Sequence, residues 1–503
     1  MTQISAIGKK ILNKTSLWLL LSFFLLELFS FFGYLLPYLN RVFFVLICLI
    51  MLLLSLRKVK YGLLIILAEL AIGSKGYLFY FAYQGVDISI RIALWMIILA
   101  VFCLKIPKLF KNKTLTGDTV KGTALPLIMS LFIFASWGLL NGYLNSNQSS
   151  DIFFDFNSWL FLLLAPVVYY VFSFENLSRL RVLQVFSLAI SWLCIKTLAL
   201  EYIFSHHIGL LVKPLYRWIR ESGVGEITLM DGGFVRIFFQ SHIYVPIFFF
   251  LSLLVFDLLL TSRKTSLFKK GDRTAKLAWF ILAFLLALIA VILISLSRSF
   301  WLASAIVFLA YAAIKIKKHG IRSLLNNLAM LIIASITAIL LITLIIKFPY
   351  PTPGEIDLGE TLSQRASSIS GEAAASSRYQ LWPKLLEKIT ESPIAGRGFG
   401  TKVTYRSSDP RVLSSTADGL YTTYAFEWGW LDIWIKIGIF GVVLYLFLLG
   451  FLIFKGLKGD WFKQGLALAL LFMAIANFFT PYANHPLGFG LLMFAAAIID
   501  AKK

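Results

Sequence analysis

The chain is expected to be an all-α polytopic membrane protein of about 14 transmembrane helices, with one large extracytoplasmic loop containing short amphipathic helices. Three observations lead there. Hydrophobic residues make up 59% and charged residues 14% of the 503 residues, and the mean hydropathy is +0.83, values foreign to a water-soluble globule. Many windows reach the roughly 20 apolar residues that a spanning helix needs. A single long hydrophilic insert, 347–430, interrupts this background.

In chain order the apolar runs place spans near 17–36, 41–56, 61–82, 88–104, 124–141, 157–173, 182–204, 238–261, 277–296, 299–314, 324–346, 431–454, 464–480 and 486–501. The first run is long and lacks a small-x-small exit, so it reads as a retained span rather than a cleaved leader. Short basic clusters separate the runs: Lys9, Lys10 and Lys14; Arg57, Lys58 and Lys60; Lys105 to Lys113; Arg263 to Lys276; Lys315 to Arg322; Lys455 to Lys463; Lys502 and Lys503. All fall on one side of the predicted topology, which the positive-inside rule makes cytoplasmic. Both termini are then cytoplasmic, and 205–237, the turn at 295–299 and 347–430 lie outside. The net charge of +22 therefore speaks for membrane topology, not for nucleic acid. The whole of 1–503 reads as one integral membrane domain carrying those two outer loops, without an evident internal repeat or low-complexity tract.

Cys48, Cys103 and Cys194 lie far apart in predicted spans, without CxxC spacing or a histidine cluster, which argues against disulfides and metal. The first half reads as scaffold and lipid-facing wall, with Glu27, Glu69 and Glu201 as buried or near-interface acids of unassigned partners. Chemistry is sought among ionisable residues at the membrane, because a charge placed there costs several kcal/mol unless it is paired or hydrated.

Segment 205–237 is expected to hold a short helix near 213–221 and then a flexible turn. Arg236, in GGFVRIFFQSHIYVP, enters the eighth span from the outer side, with Gln240 and His242 one and two helical turns deeper. Snorkelling from a helix end is the ordinary explanation for Arg236. Arg298, in SLSRSFWLA, sits at an outer turn flanked by Ser295, Ser297 and Ser299. Its guanidinium fork suits two phosphate oxygens; hydrogen bonding to helix-end carbonyls is the alternative.

Within the large insert, Leu381, Leu385, Leu386 and Ile389, beside Trp382, recur at helical spacing and predict an amphipathic helix. Ser376 or Ser377 can cap it, Pro383 fits only near its first turn, and Pro393 follows its end. Such a helix either lies on the membrane surface or covers the bundle. GRGFG at 396–400 lacks the strand and helix of a dinucleotide fingerprint. Its glycines and Arg397 either admit an anion to the backbone or make a tight turn.

The order of these motifs resembles the O-antigen ligase and O-antigen polymerase superfamily of bacterial membrane glycosyltransferases. The resemblance runs from Arg236 to Gly441 and rests on Arg236, on Ser297-Arg298 at an outer turn, and on one long outer loop. That loop ends in Arg378-x-x-x-Trp382, Pro393-x-x-Gly396-x-Gly398-x-Gly400 and a span entered through Leu431 to Gly441. The family usually carries a His-Asn-x-Tyr-Leu string about eleven residues ahead of a glycine; aligned on Gly438, this chain has Glu427-Trp428-Gly429-Trp430-Leu431 there. Glutamate stands where histidine is usual. A carboxylate can serve as general base in partly buried, aromatic surroundings, and Phe426, Trp428 and Trp430 are at hand. Capping the following span or pairing with an outer arginine is the plainer role for Glu427, and Asp418 is the reserve base.

The resemblance implies transfer of a glycan from a polyprenyl-diphosphate carrier, such as undecaprenyl diphosphate, to a hydroxyl acceptor. The acceptor is a lipid, a protein or another lipid-linked repeat, and transfer takes place at the outer face of the cytoplasmic membrane. It implies an inverting reaction without nucleotide sugar, metal or other cofactor. In that reading Arg236 and Arg298, with Arg378 and Arg397, hold the donor diphosphate, with Glu427 and Arg298 catalytic. Trp382, Trp428, Trp430 and His242 are possible acceptor or sugar contacts, although interfacial anchoring is the commoner role of such tryptophans. A ligase and a repeat-unit polymerase share these donor residues, with the single large insert late in the chain leaning towards a ligase. A lipid-linked oligosaccharide flippase is the alternative of another class, but it should line a central cavity with charge rather than cluster it at the outer ends.

Overall fold

The computed structural model describes residues 2–83, 85–111, 122–230, 233–261, 273–352, 354, 373–407, 412–413, 416 and 418–500. The helices are α1 (Thr2–Ile11), α2 (Lys14–Leu35), α3 (Pro37–Arg57), α4 (Val59–Ile72), α5 (Ile90–Lys111), α6 (Ala124–Leu144), α7 (Ser149–Phe156), α8 (Ala165–Ser173), α9 (Arg179–Ser205), α10 (Gly209–Glu221), α11 (Tyr244–Thr261), α12 (Arg273–Ser295), α13 (Arg298–His319) and α14 (Ile321–Ile346). They continue with α15 (Ala373–Glu391), α16 (Gly429–Leu457), α17 (Trp461–Ala476) and α18 (Pro486–Asp500). Three antiparallel hairpins accompany them: β1 (Tyr80–Tyr83) with β2 (Val86–Ser89), β3 (Gly225–Leu229) with β4 (Val235–Phe239), and β5 (Val403–Arg406) with β6 (Leu420–Thr423).

The all-α polytopic class holds. Among the described residues eleven helices are long and apolar enough to cross a membrane. The expected spans at 61–82, 464–480 and 486–501 are instead helices of 14, 16 and 15 residues. The first stops because Ser74 (φ 52°) and Gly76 (φ 95°) turn the chain over. Of the basic clusters, 263–272, Lys113, Lys502 and Lys503 lie outside the described residues, as do 355–372 of the large insert.

The chain packs as two compact units, Met1–Thr119 with Tyr170–Leu362, and Val120–Tyr169 with Ser363–Lys503. In the first unit, α9 and the span opened by Gln240 are the most enclosed, 72% and 83% buried, so they form its core, whereas α14, at 17%, forms wall. Charge inside this unit is paired. Lys196 of α9 lies 2.7 Å from Glu27 of α2. Arg91 holds Glu69 through two bonds of 2.8 and 2.9 Å and gives a third, of 2.7 Å, to the Ser74 carbonyl. Asp257 accepts from Lys315, from Tyr311 at 2.7 Å and from Asn327 at 2.7 Å. Neither carboxylate oxygen of the buried Glu201 has a hydrogen-bond partner.

The second unit is built on α16, which packs against α6 and α17. The amphipathic helix of the insert is α15. It begins at Ala373, so Ser376 and Ser377 lie inside it rather than capping it, and Pro383 falls mid-helix instead of in the first turn. Pro383 is on the exposed face, the side on which a carbonyl left without its helical partner can be solvated. The apolar stripe Leu381, Leu385 and Ile389 is buried with Val403, Phe426 and Ile435. Thus α15 covers the core of its own unit, and the stripe is spent on protein packing.

Candidate active site

In the first unit the sequence V-R-I-F-F alternates between buried and half-buried positions, the period-2 pattern of a strand. Arg236 therefore sits on β4, paired across from Thr228, and not on a helical span as expected. Helix α11 starts only at Tyr244, after a single 3-10 turn over Gln240–Ile243. From β4 the Arg236 side chain donates through Nε to the Ser295 carbonyl at 2.9 Å, and its guanidinium lies 5.1 Å from the Phe238 ring centre. Ser295 ends α12, Leu296 takes φ 45°, and Arg298 opens α13. A strand arginine and a helix-start arginine thus share one tight turn, where Ser297 and Ser299 bond each other at 3.1 Å. Arg236 thus makes a helix-end carbonyl bond of the kind expected as the plainer role of Arg298.

His242 is 1% exposed. Its Nδ1 accepts from the Phe239 N–H at 3.3 Å and its Nε2 lies 3.1 Å from Thr197 Oγ1. One ring nitrogen thus bonds within the turn from β4 into α11 and the other faces α9.

In the second unit Glu427 and Arg378 form an ion pair, their side chains 54% and 34% exposed. Arg378 also offers its backbone carbonyl to Trp428 Nε1 at 3.0 Å, and Trp428 stands edge-on to Trp382 with ring centres 4.5 Å apart. A carboxylate, a guanidinium and two indoles thereby share one accessible patch on α15 and the start of α16. Trp430 is elsewhere: 8% exposed, it donates to the Ala474 carbonyl at 3.0 Å and packs edge-on to Tyr445. It joins α16 to α17. Asp418, the reserve base, accepts from the Leu420 N–H at 3.1 Å in the turn before β6.

The Pro393–Gly400 motif proves to be a clamp. Gly438 (φ 75°) breaks α16, and a break in a membrane helix is tolerated only where its freed backbone groups find partners. Arg397 N–H donates to the Ile435 carbonyl at 2.6 Å, and Ile439 N–H to the Pro393 carbonyl at 3.1 Å, one bond on each side of the break. Gly396, Gly398 and Gly400 all have positive φ. A Cβ at Gly398 would strike the Gly142 backbone of α6, so the conformation and the close approach both require glycine. Phe399 N–H donates to Gly138 at 3.0 Å and Gly400 N–H to Asp155 at 3.0 Å. Asn141 and Asn147 hold the Gly396 and Phe399 carbonyls at 2.8 Å each. These N–H groups are taken up within the unit, as in the tight-turn alternative; the Arg397 side chain, 35% exposed, lies 3.5 Å from Glu391.

Behind the clamp is a network that the sequence did not reveal. Lys436 is 2% exposed and bonds Asp432, at 2.7 Å, and Asp155 of α7. Asn484 donates to the other oxygen of Asp432 at 2.5 Å. Nearby, outside the spans, the Tyr424 phenol is pushed up from its ordinary pKa by burial, and further by the Asp155 and Asp151 carboxylates. Asp432 and Lys436 stand four residues apart in an apolar run, a visible signal, since ionisable residues at such depth come paired.

Part of the chain matches a known family. Residues 282–446 match the family described as O-antigen ligase. The match places this stretch in the O-antigen ligase superfamily. It contains Arg298, Arg378, Arg397 and Glu427, whereas Arg236 and His242 precede it. Neither a curated protein nor a solved structure matches the chain. An O-antigen ligase stretch in a chain of many apolar helices speaks for a membrane glycosyltransferase of ligase or polymerase type.

Proposed function

We propose that the chain transfers a glycan from a polyprenyl-diphosphate carrier to a hydroxyl acceptor at the outer face of the cytoplasmic membrane, with inversion at the anomeric carbon. The observation that carries this reading is the Arg236–Ser295 bond, which fastens a second guanidinium to the turn carrying Arg298. Fixed positive groups aimed at a departing diphosphate stabilise the charge that develops as the anomeric C–O bond breaks. Such preorganised electrostatics usually lower a barrier more than any other single effect.

Arg236 and Arg298 hold the diphosphate in this reading, and Arg378 and Arg397 contribute positive charge. The acceptor hydroxyl attacks the anomeric carbon, its proton passes to Glu427, and the diphosphate leaves on its lipid. Arg378 fixes the orientation of the Glu427 carboxylate, and Trp382 and Trp428 offer an indole face and edge to a sugar ring. Trp430 and His242, both buried, are given no substrate contact in this reading.

The test is direct. Purified protein in lipid is mixed with a polyprenyl-diphosphate glycan and candidate acceptors, and the products are resolved by mass. A glycan-bearing acceptor identifies a ligase, and a ladder of repeat units a polymerase. Donor left chemically intact but moved across the bilayer would replace the proposal with a flippase.

A further inference from the structure

The first unit contains a cavity of about 500 Å³ among α2, α3, α4, α5 and α9, within the roughly 300–1,000 Å³ of small-molecule sites. None of its lining belongs to the residues assigned to glycan transfer, and its walls are apolar along most of their length, with side chains such as Phe23, Leu64 and Leu94. Among the described residues its charged side chains are three. Arg57, at the end of α3, and Arg181, in the first turn of α9, stand at one end; Glu69 stands at the other and is closed off by Arg91.

The basic end carries uncompensated charge. Among the described residues neither Arg57 nor Arg181 pairs with a carboxylate; Arg181 donates only to the Gln184 amide oxygen at 2.7 Å. The charge of Arg181 is felt beyond the cavity: after burial, it is the second cause that lowers the pKa of Lys10. The nearby acid is committed, since Glu175 accepts the Val59 and Lys60 backbone N–H groups at 3.0 and 2.8 Å. The outward faces of α2 and α3 expose Leu21 (41%) and Leu53 (62%), apolar surface of the kind that lies against acyl chains.

We propose that this cavity is a binding site for one anionic membrane phospholipid, its phosphate on Arg57 and Arg181 and an acyl chain along the apolar wall. Two guanidiniums suit phosphate oxygens bidentately, and basic pockets between membrane helices take up acidic headgroups. Occupancy wedges α2, α3, α4 and α9 together, so the lipid acts as a structural ligand of the first unit. A zwitterionic lipid fills the apolar part equally well but brings its own cation to the arginines.

The experiment is native mass spectrometry of the full chain after exchange from nanodiscs containing both phosphatidylglycerol and phosphatidylcholine. The wild type should retain phosphatidylglycerol in preference. Arg57→Gln with Arg181→Gln should lose that preference by roughly fivefold per arginine. Leu64→Trp, which fills the cavity and leaves both arginines, should lose bound lipid altogether. Equal retention of the two lipids by the wild type, undiminished preference in the double variant, or displacement of phosphatidylglycerol by a polyprenyl phosphate would each overturn the proposal. Should the variants fail to fold, the wild type still decides, because a ligand of the native state raises the unfolding temperature with its concentration. Phosphatidylglycerol should do so where phosphatidylcholine does not, and equal shifts would refute the site.

Discussion

Lys436 stands one helical turn from Asp432, its Nζ 2.7 Å from Oδ1, while the same ammonium bonds Asp155. One cation is thereby shared by two buried acids. Asp155 passes the connection on to the Gly400 N–H, so the network ties the broken helix to the clamp. Lys436→Met should cost about 3–5 kcal/mol, the penalty of removing one partner from a buried ion pair. Adding Asp155→Asn and Asp432→Asn should recover part of it. Thermal unfolding of the purified variants measures both effects; an unchanged midpoint in Lys436→Met would show the network to be dispensable.

Arg298→Ala should lower transfer about a hundredfold or more, the scale of losing one charge-stabilising donor, with little change in unfolding temperature. Arg236→Lys should not restore what Arg236→Ala loses, because an ammonium cannot both hold the Ser295 carbonyl and present a planar fork. Initial rates with a lipid-linked glycan donor separate these outcomes. Activity at wild-type level in Arg298→Ala would remove it from the site.

The Arg378–Glu427 pair is partly exposed, so its worth to stability is small, about 0.2–1 kcal/mol. Glu427→Gln should therefore unfold like the wild type but fail in transfer. Arg378→Ala should weaken transfer less, since it orients the carboxylate and does not take the proton. A Glu427→Gln variant that transfers normally would shift the search to Asp418.

Glycine variants should separate strain from collision. Gly320 has φ 77° and ψ 167° but open space around it, so Gly320→Ala should cost about 1–3 kcal/mol for a backbone region that glycine alone adopts readily. Gly398→Ala combines φ 81° with a collision against Gly142. It should unfold at a lower temperature than Gly320→Ala and expose 393–400 to protease. Equal behaviour of the two would mean that the clamp does not seat against α6.

Most helices are legible in the sequence because apolar runs of spanning length have few alternatives. The failures have local causes. Gly73-Ser74-Lys75-Gly76 interrupts the run at 61–82, a turn signal that the hydrophobicity on either side outweighs. Arg236 reads as helical because its neighbours are apolar, although β-branched and aromatic residues after a Gly-Gly pair are also a strand signal. Arg298 and the Pro393–Gly400 motif stand out by residue type, but what the glycines do is not readable: their partners, Gly142 of α6 and Ile435 of α16, are distant in sequence. Asp155 stays hidden for the same reason, being 281 residues from Lys436. The accessible pairing of Glu427 with Arg378 is its plainer expected role, and whether it also takes a proton is for the Glu427→Gln experiment.

The clamp also dictates an order of biogenesis. A chain is made from its N-terminus, so α6 and then 393–400 leave the ribosome before the break at Gly438 does. Until those earlier segments reach them, the Ile435 carbonyl and the Ile439 N–H lack the partners they have in the folded unit, and a backbone group left unsatisfied in hydrocarbon costs several kcal/mol. The second half of α16 can therefore settle into the bilayer only against a loop already folded on α6, and a chain whose insert is delayed or proteolysed should stall at that insertion step.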